Sequence, residues 1–379
     1  MSKLKKVLGE PSWMIAAKSV SASITRAGGH VGPVAFTNGR KRIVPMAVAP
    51  WHNEMLPKDT PPIIRVLRGD FFCMPFGGNT TAFGKERHPV HGEVANSDWA
   101  LVDETQTKSE SSLRLQLQTR VRKASVDKVV RLVPDHHAVY HRHTIRGASG
   151  PMPLGHHAVV RFPDAGGMLS TSPFNVGQVF PEPIERPENR GYSILMPGAR
   201  FDSLSSVPMI TGQCTDLSKY PARRGFEDLV MIVSDPSVRL GWTAAAFPTL
   251  GYVWFGLKDV KVLRNTVFWF SNGGRHYAPW NGRHINVLGM EETTSYFHSG
   301  LAESSNSNPI SDAGMRTVIE LSVNKPTTVN YIFGIAPIPP SFGSVESIEP
   351  TGSGIVISDD HTRVKVSLDV DFLFGVDMQ

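Results

Sequence analysis

No stretch of this chain longer than about two helical turns keeps an amphipathic pattern free of Gly, Pro or β-branched residues. A chain of 379 residues without long helices must bury its apolar groups with strands. The strand signal is correspondingly frequent. Val20 to Ile24 alternates before a turn at Gly28-Gly29, and Leu113, Leu115 and Leu117 alternate with Arg114, Gln116 and Gln118. Tyr252 to Leu257 and Val267 to Phe270 are short continuous apolar runs, the pattern of strands buried on both faces. Near the end, Val364, Val366, Leu368, Val370 and Phe372 point one way, and Lys365, Ser367, Asp369 and Asp371 the other, as in one strand. The polar stretch Ser299 to Ser311 reads as a loop, because strand pattern resumes on both sides, and no internal repeat is visible. Many strands must close or stack to manage their edges. The expected fold is therefore all-β, a large antiparallel sandwich forming a single domain over residues 1–379.

The net charge of +5 is spread thinly over the chain, and the one basic cluster, Lys3-Leu4-Lys5-Lys6, is too short for a nucleic-acid arm. Apolar runs are too short to cross a bilayer, and no apolar segment follows the N-terminal lysines as in a secretory signal. Cys73 and Cys214 lack metal-ligand spacing and read as two buried free thiols. The expectation is a soluble cytoplasmic protein, monomer or homodimer, that binds neither nucleic acid nor membrane.

Several segments carry chemistry-bearing residues. In Leu288-Gly289-Met290-Glu291-Glu292 a Gly-punctuated apolar strand ends in two carboxylates, which diverge if the strand is regular: one is free for acid–base work and the other for an ion pair. Gly155-His156-His157 poses the same alternation for two imidazoles, only one of which can face a given cleft. His91-Gly92, with Trp99 following, offers an imidazole beside a permissive backbone and a flat apolar face; a loop His and a core Trp fit equally well. Arg68-Gly69-Asp70 runs into Met74-Pro75-Phe76-Gly77-Gly78, where backbone can approach a ligand, or where a strand simply ends in a bulge. Between His136 and His143 stand four histidines. Val139, His141 and His143 would share a face with His137, which reads either as a metal site or as a solvated strand face.

Taken together and in this order, these segments resemble the galactose mutarotase-like superfamily, the aldose 1-epimerases and hexose-phosphate mutarotases. Arg68-Gly69-Asp70 with Pro75-Phe76-Gly77 resembles its Arg-Gly-Gly…Pro-Trp-Phe-Gly segment, and His91-Gly92, Asn96 and Trp99 its His-Gly-Phe-Ala…Trp signature. Gly155-His156-His157-Ala158 with Phe162-Pro163 is similar to the Gly-x-His-Pro-x-Phe stretch and places His157 on the family histidine. Glu227-Asp228-Leu229-Val230 resembles the acidic segment that holds sugar hydroxyls, and Leu288-Gly289-Met290-Glu291 the Leu-Glu-Pro strand that carries the base. The sequence departs from the pattern at Glu93, Asn96, Ala158 and Glu292.

The resemblance implies a mutarotase-like β-sandwich and an isomerase that interconverts the α and β anomers of an aldose or aldose phosphate. Glu291 would be the base, His157 the acid and His91 a further catalytic imidazole. Arg68, Asn96, Trp99 and Asp228 would bind the sugar, with no metal and no cofactor. The alternatives are a carbohydrate-binding protein of the same fold without turnover, and a metal-dependent hydrolase or lyase built on His136–His143.

Overall fold

The computed structural model describes residues 2–375. Two large sheets of twelve and nine strands form its body, and every strand pairing within them is antiparallel. Helix among the described residues is limited to two α-helices, Pro62–Val66 and Leu301–Ser305, and short 3-10 turns. The second helix interrupts what the sequence presents as a plain loop.

The patterns read from the sequence become strands for the reasons given. In Ser111–Thr119 the three leucines are buried and the intervening Arg114 and Gln118 exposed. Tyr252–Asp259 and Asn265–Asn272 are buried along their whole length. Each large sheet is covered twice. Phe72, Leu154, Val160, Phe268 and Met290 of the larger sheet meet Leu115, Val126, Trp254 and Phe333 of the smaller in the core between them. On the far face of the larger sheet, Phe71, Val159, Leu229, Val267 and Trp269 are roofed by connecting segments that supply Trp51, Ile63, Leu67, Phe76, Trp280 and Phe297. The far face of the smaller sheet is covered by a three-stranded sheet near the C-terminus, which contributes Ile348, Ile355, Ile357 and Val366.

Three expectations are corrected. The strand expected to run to Phe372 ends at Ser367, and Asp371–Phe374 forms a 3-10 turn. Leu368, Val370 and Phe372 are buried nonetheless, because that turn lies on the apolar far face of the smaller sheet. The histidines between residues 136 and 143 are not a solvated strand face. His136 and His137 precede the strand Ala138–Arg146, while His141 and His143 point into the core between the sheets and are fully buried. Cys73 is a buried free thiol as expected, whereas Cys214 is exposed.

Candidate active site

Three central strands of the larger sheet, Asp70–Cys73, Leu154–Arg161 and Val287–Thr294, lie side by side. Their registers put His157 between Phe71 and Glu291. Alternation along a strand then decides the chemistry. His157 and Glu291 project from the far face of the sheet, whereas His156 and Glu292 project into the core. His157 Nε2 lies 3.1 Å from Glu291 Oε1, and the Phe71 ring stacks on the imidazole with centroids 4.5 Å apart. Gly289 gives the carboxyl its room, for it lies on the same face two residues earlier and carries no side chain.

The loop containing His91 crosses above this pair. His91 adopts φ +58° and Gly92 φ +75°, and a Cβ on Gly92 would come within 1.8 Å of the Met74 carbonyl oxygen. Only glycine fits there, which fixes where the preceding imidazole goes. The His91 ring meets His157 edge-on at 5.0 Å and His298 at 4.7 Å. The Gly77 amide donates to His91 Nδ1 at 3.3 Å, so the neutral ring carries its proton on Nε2.

These groups line a cavity of about 230 Å³, smaller than the roughly 300–1,000 Å³ of drug-sized sites and suited to a single ring. Its polar floor is Glu291, His157, His91 and His298. Phe71, Trp269 and Trp280 form aromatic walls, and helix Pro62–Val66 with Leu67 lays Ile63, Ile64 and Leu67 across the top. Arg275 stacks on Trp280 and Trp269, 4.5 and 5.2 Å from their centroids, and its Nε donates to Glu185 Oε1 at 2.5 Å. The Tyr277 hydroxyl donates to the same oxygen at 2.9 Å.

Burial dominates the electrostatics. It pushes the Glu291 carboxyl well above the usual carboxylate range. Burial, with His298 close by, holds His157 well below the usual imidazole value. Both shifts favour uncharged partners, so the carboxyl is protonated and donates to His157 Nε2. The neutral imidazole then carries its own proton on Nδ1. Glu291 Oε2 and His157 Nδ1 are left without a protein partner. Burial and Arg275 lower His298 to about 4.

The inward-facing residues make a separate, sealed group. Asp70 Oδ2 lies 2.9 Å from His156 Nδ1 and 3.7 Å from His141 Nδ1. One ligand-type atom from each of these three residues falls within a 4.8 Å cluster, a spacing that could hold a metal ion. The cluster stands on the opposite face of the sheet from the cavity and beside the buried Lys128 ammonium, which interacts with Asp70. Glu292 takes the ion-pair role expected for one of the two carboxylates: Lys258 Nζ lies 2.5 Å from Oε2, and Thr266 and Thr243 hydroxyls donate at 2.7 and 2.9 Å.

Glu291, His157 and His91 thus meet in one cavity, and the four residues expected to bind sugar do not line it. The Arg68 guanidinium is buried and donates to the carbonyls of Val66, Val7 and Leu8. Asn96 Oδ1 accepts from the Ile63 amide, and Nδ2 donates to the Val90 and Gly92 carbonyls, bracing both the helix and the His91 loop. Trp99 is a core side chain whose indole donates to the Val94 carbonyl. Asp228 Oδ1 accepts from the amides of Ile194 and Leu195, while its neighbour Leu229 reaches the cavity. His298, Trp269 and the aliphatic roof are absent from the sequence expectation of the site. Arg275 and Trp280 shortly precede the Glu291 strand along the chain, and that proximity is a signal pointing to them.

No protein-family model matches the chain, and no curated protein does. Solved structures do. A galactose mutarotase-like protein from Clostridium acetobutylicum superposes with a TM-score of 0.58 at 12% identity, over 89% of this chain and 98% of that one. The chain has the galactose mutarotase-like fold. A putative mutarotase from Salmonella typhimurium superposes with a TM-score of 0.57 at 11% identity, over 89% and 97% of the two chains. A putative aldose 1-epimerase from Escherichia coli K12 gives 0.55 at 12% identity, over 86% and 99%. The mutarotase-like architecture is thus shared over 86–89% of this chain with proteins of almost unrelated sequence. No helix among the described residues is long and apolar enough to cross a membrane.

Proposed function

We propose that the protein is an aldose 1-epimerase-type isomerase, opening and reclosing a cyclic hemiacetal so that its α and β anomers interchange. The observation that carries this reading is the 3.1 Å contact between His157 Nε2 and Glu291 Oε1 on the floor of a single-ring cavity.

Anomer exchange requires that a proton leave the anomeric hydroxyl while another reaches the ring oxygen. A buried site of low polarity penalises separated charge, so a route that keeps every partner neutral is favoured. The pair provides one. Glu291 Oε2 accepts the hydroxyl proton, the proton on Oε1 passes to His157 Nε2, and the proton on Nδ1 passes to the ring oxygen. The C1–O5 bond breaks as the aldehyde forms. Afterwards the carboxyl is protonated on Oε2, and the imidazole, protonated on Nε2, donates to Oε1. Rotation about C1–C2 and the reverse transfers close the ring on the other face. His91 Nε2–H steadies the substrate oxygen nearest to it. Acid–base assistance of this kind contributes on the order of 10²–10⁴-fold per group.

Exchange spectroscopy by NMR on the α and β resonances of an aldose tests the proposal. Catalysed exchange that disappears in Glu291→Gln supports it. Ligand binding with an unaltered exchange rate would mean the protein is a carbohydrate binder without turnover.

A further inference from the structure

The cavity that holds Glu291 and His157 is built for a ligand with few hydroxyl groups. Glu291, His157, His91 and His298 cluster together, and Arg275 and Tyr277 also line it. The rest of the wall includes six aliphatic side chains, Ile63, Ile64, Leu67, Val90, Ile184 and Leu229. Ile64, Val90 and Ile184 are partly exposed at the mouth, so a ligand meets apolar surface on entering as well as at rest.

Three polar side chains near the cavity, Asn96, Tyr277 and Arg275, are already engaged. Asn96, which could have reached a hydroxyl, has its amide tied to three backbone groups. The Tyr277 hydroxyl donates to Glu185. Arg275 is the one basic side chain lining the cavity, and it is neutralised from behind by Glu185, with Glu227 also raising its affinity for its proton against the effect of burial. A phosphate would have to compete with those two carboxylates for a guanidinium stacked between indoles. A hexose would bury several hydroxyls against isoleucine, leucine and valine, and each unpaired one lowers affinity by about tenfold.

We propose that the substrate is a hydroxyl-poor cyclic hemiacetal, a deoxygenated pyranose with an apolar body, rather than a hexose or hexose phosphate. The inference rests on the anomer-exchange reading for its chemistry and on the cavity wall for its specificity. The reacting end of such a molecule, one anomeric hydroxyl and one ring oxygen, is what Glu291 and His157 can serve. The remainder needs only apolar contact.

The full chain is assayed by exchange NMR with four probes: 2-hydroxytetrahydropyran, a 2,6-dideoxyhexose, D-glucose and D-glucose 6-phosphate. Each rate is referred to its own uncatalysed exchange. The expected result is a kcat/KM for the first two at least about 10²-fold above that for glucose, the loss expected from two unpaired hydroxyls, and no turnover of the phosphate. Equal or better turnover of glucose or its phosphate would overturn the inference while leaving the anomer-exchange reading intact. If no probe is turned over, the anomer-exchange reading fails. Ligand-observed NMR binding then decides the specificity by itself: a preference for 2-hydroxytetrahydropyran over glucose upholds it, and the reverse preference, or no binding of either, overturns it.

Discussion

Gly289 and Glu291 share one face of the same strand, and a Cβ placed on Gly289 would lie 2.6 Å from Glu291 Oε1. The atom it would strike is the far end of a flexible side chain, so the carboxyl can yield. Yielding takes it off His157. The next contact, Trp269 Cβ at 3.0 Å, leaves less freedom. Gly289→Ala is therefore expected to fold with a loss of only about 1–2 kcal/mol while anomer exchange falls about 10²-fold. Thermal unfolding and exchange NMR on one sample check both halves; full activity would mean that the contact is dispensable.

Strand alternation separates the roles of adjacent residues. Glu291→Gln keeps the shape of the pair but removes the transferable proton, so exchange is expected to fall at least about 10²-fold with the fold preserved. His157→Ala should behave alike. His156→Ala should not: it leaves the Asp70 carboxylate buried beside a lost partner, which costs about 3–5 kcal/mol of stability. Measuring melting temperature and kcat/KM across the three variants distinguishes the faces, and equal activity losses in His156→Ala and His157→Ala would show that this assignment is incorrect.

The pair also fixes the form of the pH–rate profile. The relay needs both partners neutral, with one proton on the carboxyl and one on the imidazole. At low pH the pair gains a third as His157, held below the usual imidazole value by burial and His298, becomes charged. At high pH it loses the carboxyl proton as Glu291, held above the usual carboxylate range by burial, ionises. The expected kcat/KM profile is flat near neutrality and falls on both sides, with apparent values that belong to the pair. A rate that climbs with pH to a lasting plateau would instead indicate an ordinary free carboxylate base.

Stability has its own acid limb. His30 and His284 are held at about 3, both by burial, with a hydrogen bond to the Ala95 carbonyl opposing it at His30 and Arg275 adding to it at His284. Unfolded, each titrates near 6.5. Because the folded values are the lower ones, the unfolded chain binds more protons below about 6.5, and stability falls with pH from there toward about 3. Each group contributes up to about 1.4 kcal/mol per pH unit in that window. Denaturant melts between pH 7 and 4.5 should show this decline, and His284→Phe should reduce its slope by the share of one group. A stability that stays level over that range contradicts the assignment of both rings as neutral.

Periodicity records which way a side chain points, and so the two-sheet body was legible. Leu113, Leu115 and Leu117, and the runs at Tyr252 and Val267, could bury themselves only as they do. The convergence of Glu291, His157 and His91 was legible from motif order. What the ordering of residues does not encode is the partner of a polar group when that partner is backbone. Arg68, Asn96 and Asp228 have the chemistry of sugar ligands, yet their hydrogen bonds go to main-chain groups supplied by segments far along the chain. Nor does it encode roofs built from loops. Ile184 and His298 reach the cavity from irregular segments, Ile64 reaches it from a five-residue helix too short to show a period, and the buried His141 follows from the position of its strand within the sheet.

Arg68 separates these two kinds of knowledge most directly. Its guanidinium lies under the N-terminal strands, where Nε, Nη1 and Nη2 donate to three carbonyls at 2.9–3.0 Å. Burial lowers its affinity for its proton to about 10, yet it remains charged at neutral pH. Arg68→Met keeps the buried stem and leaves those carbonyls without their donor, at a cost of about 1–3 kcal/mol. Because no atom of Arg68 lines the cavity, kcat and KM of the folded fraction should stay within about twofold of the parent, a difference of only ~0.4 kcal/mol in barrier. A substrate contact would give the opposite signature, a raised KM with the melting temperature unchanged. Steady-state exchange kinetics below the variant's melting temperature, set beside its thermal melt, therefore decide whether this arginine belongs to the ligand or to the scaffold.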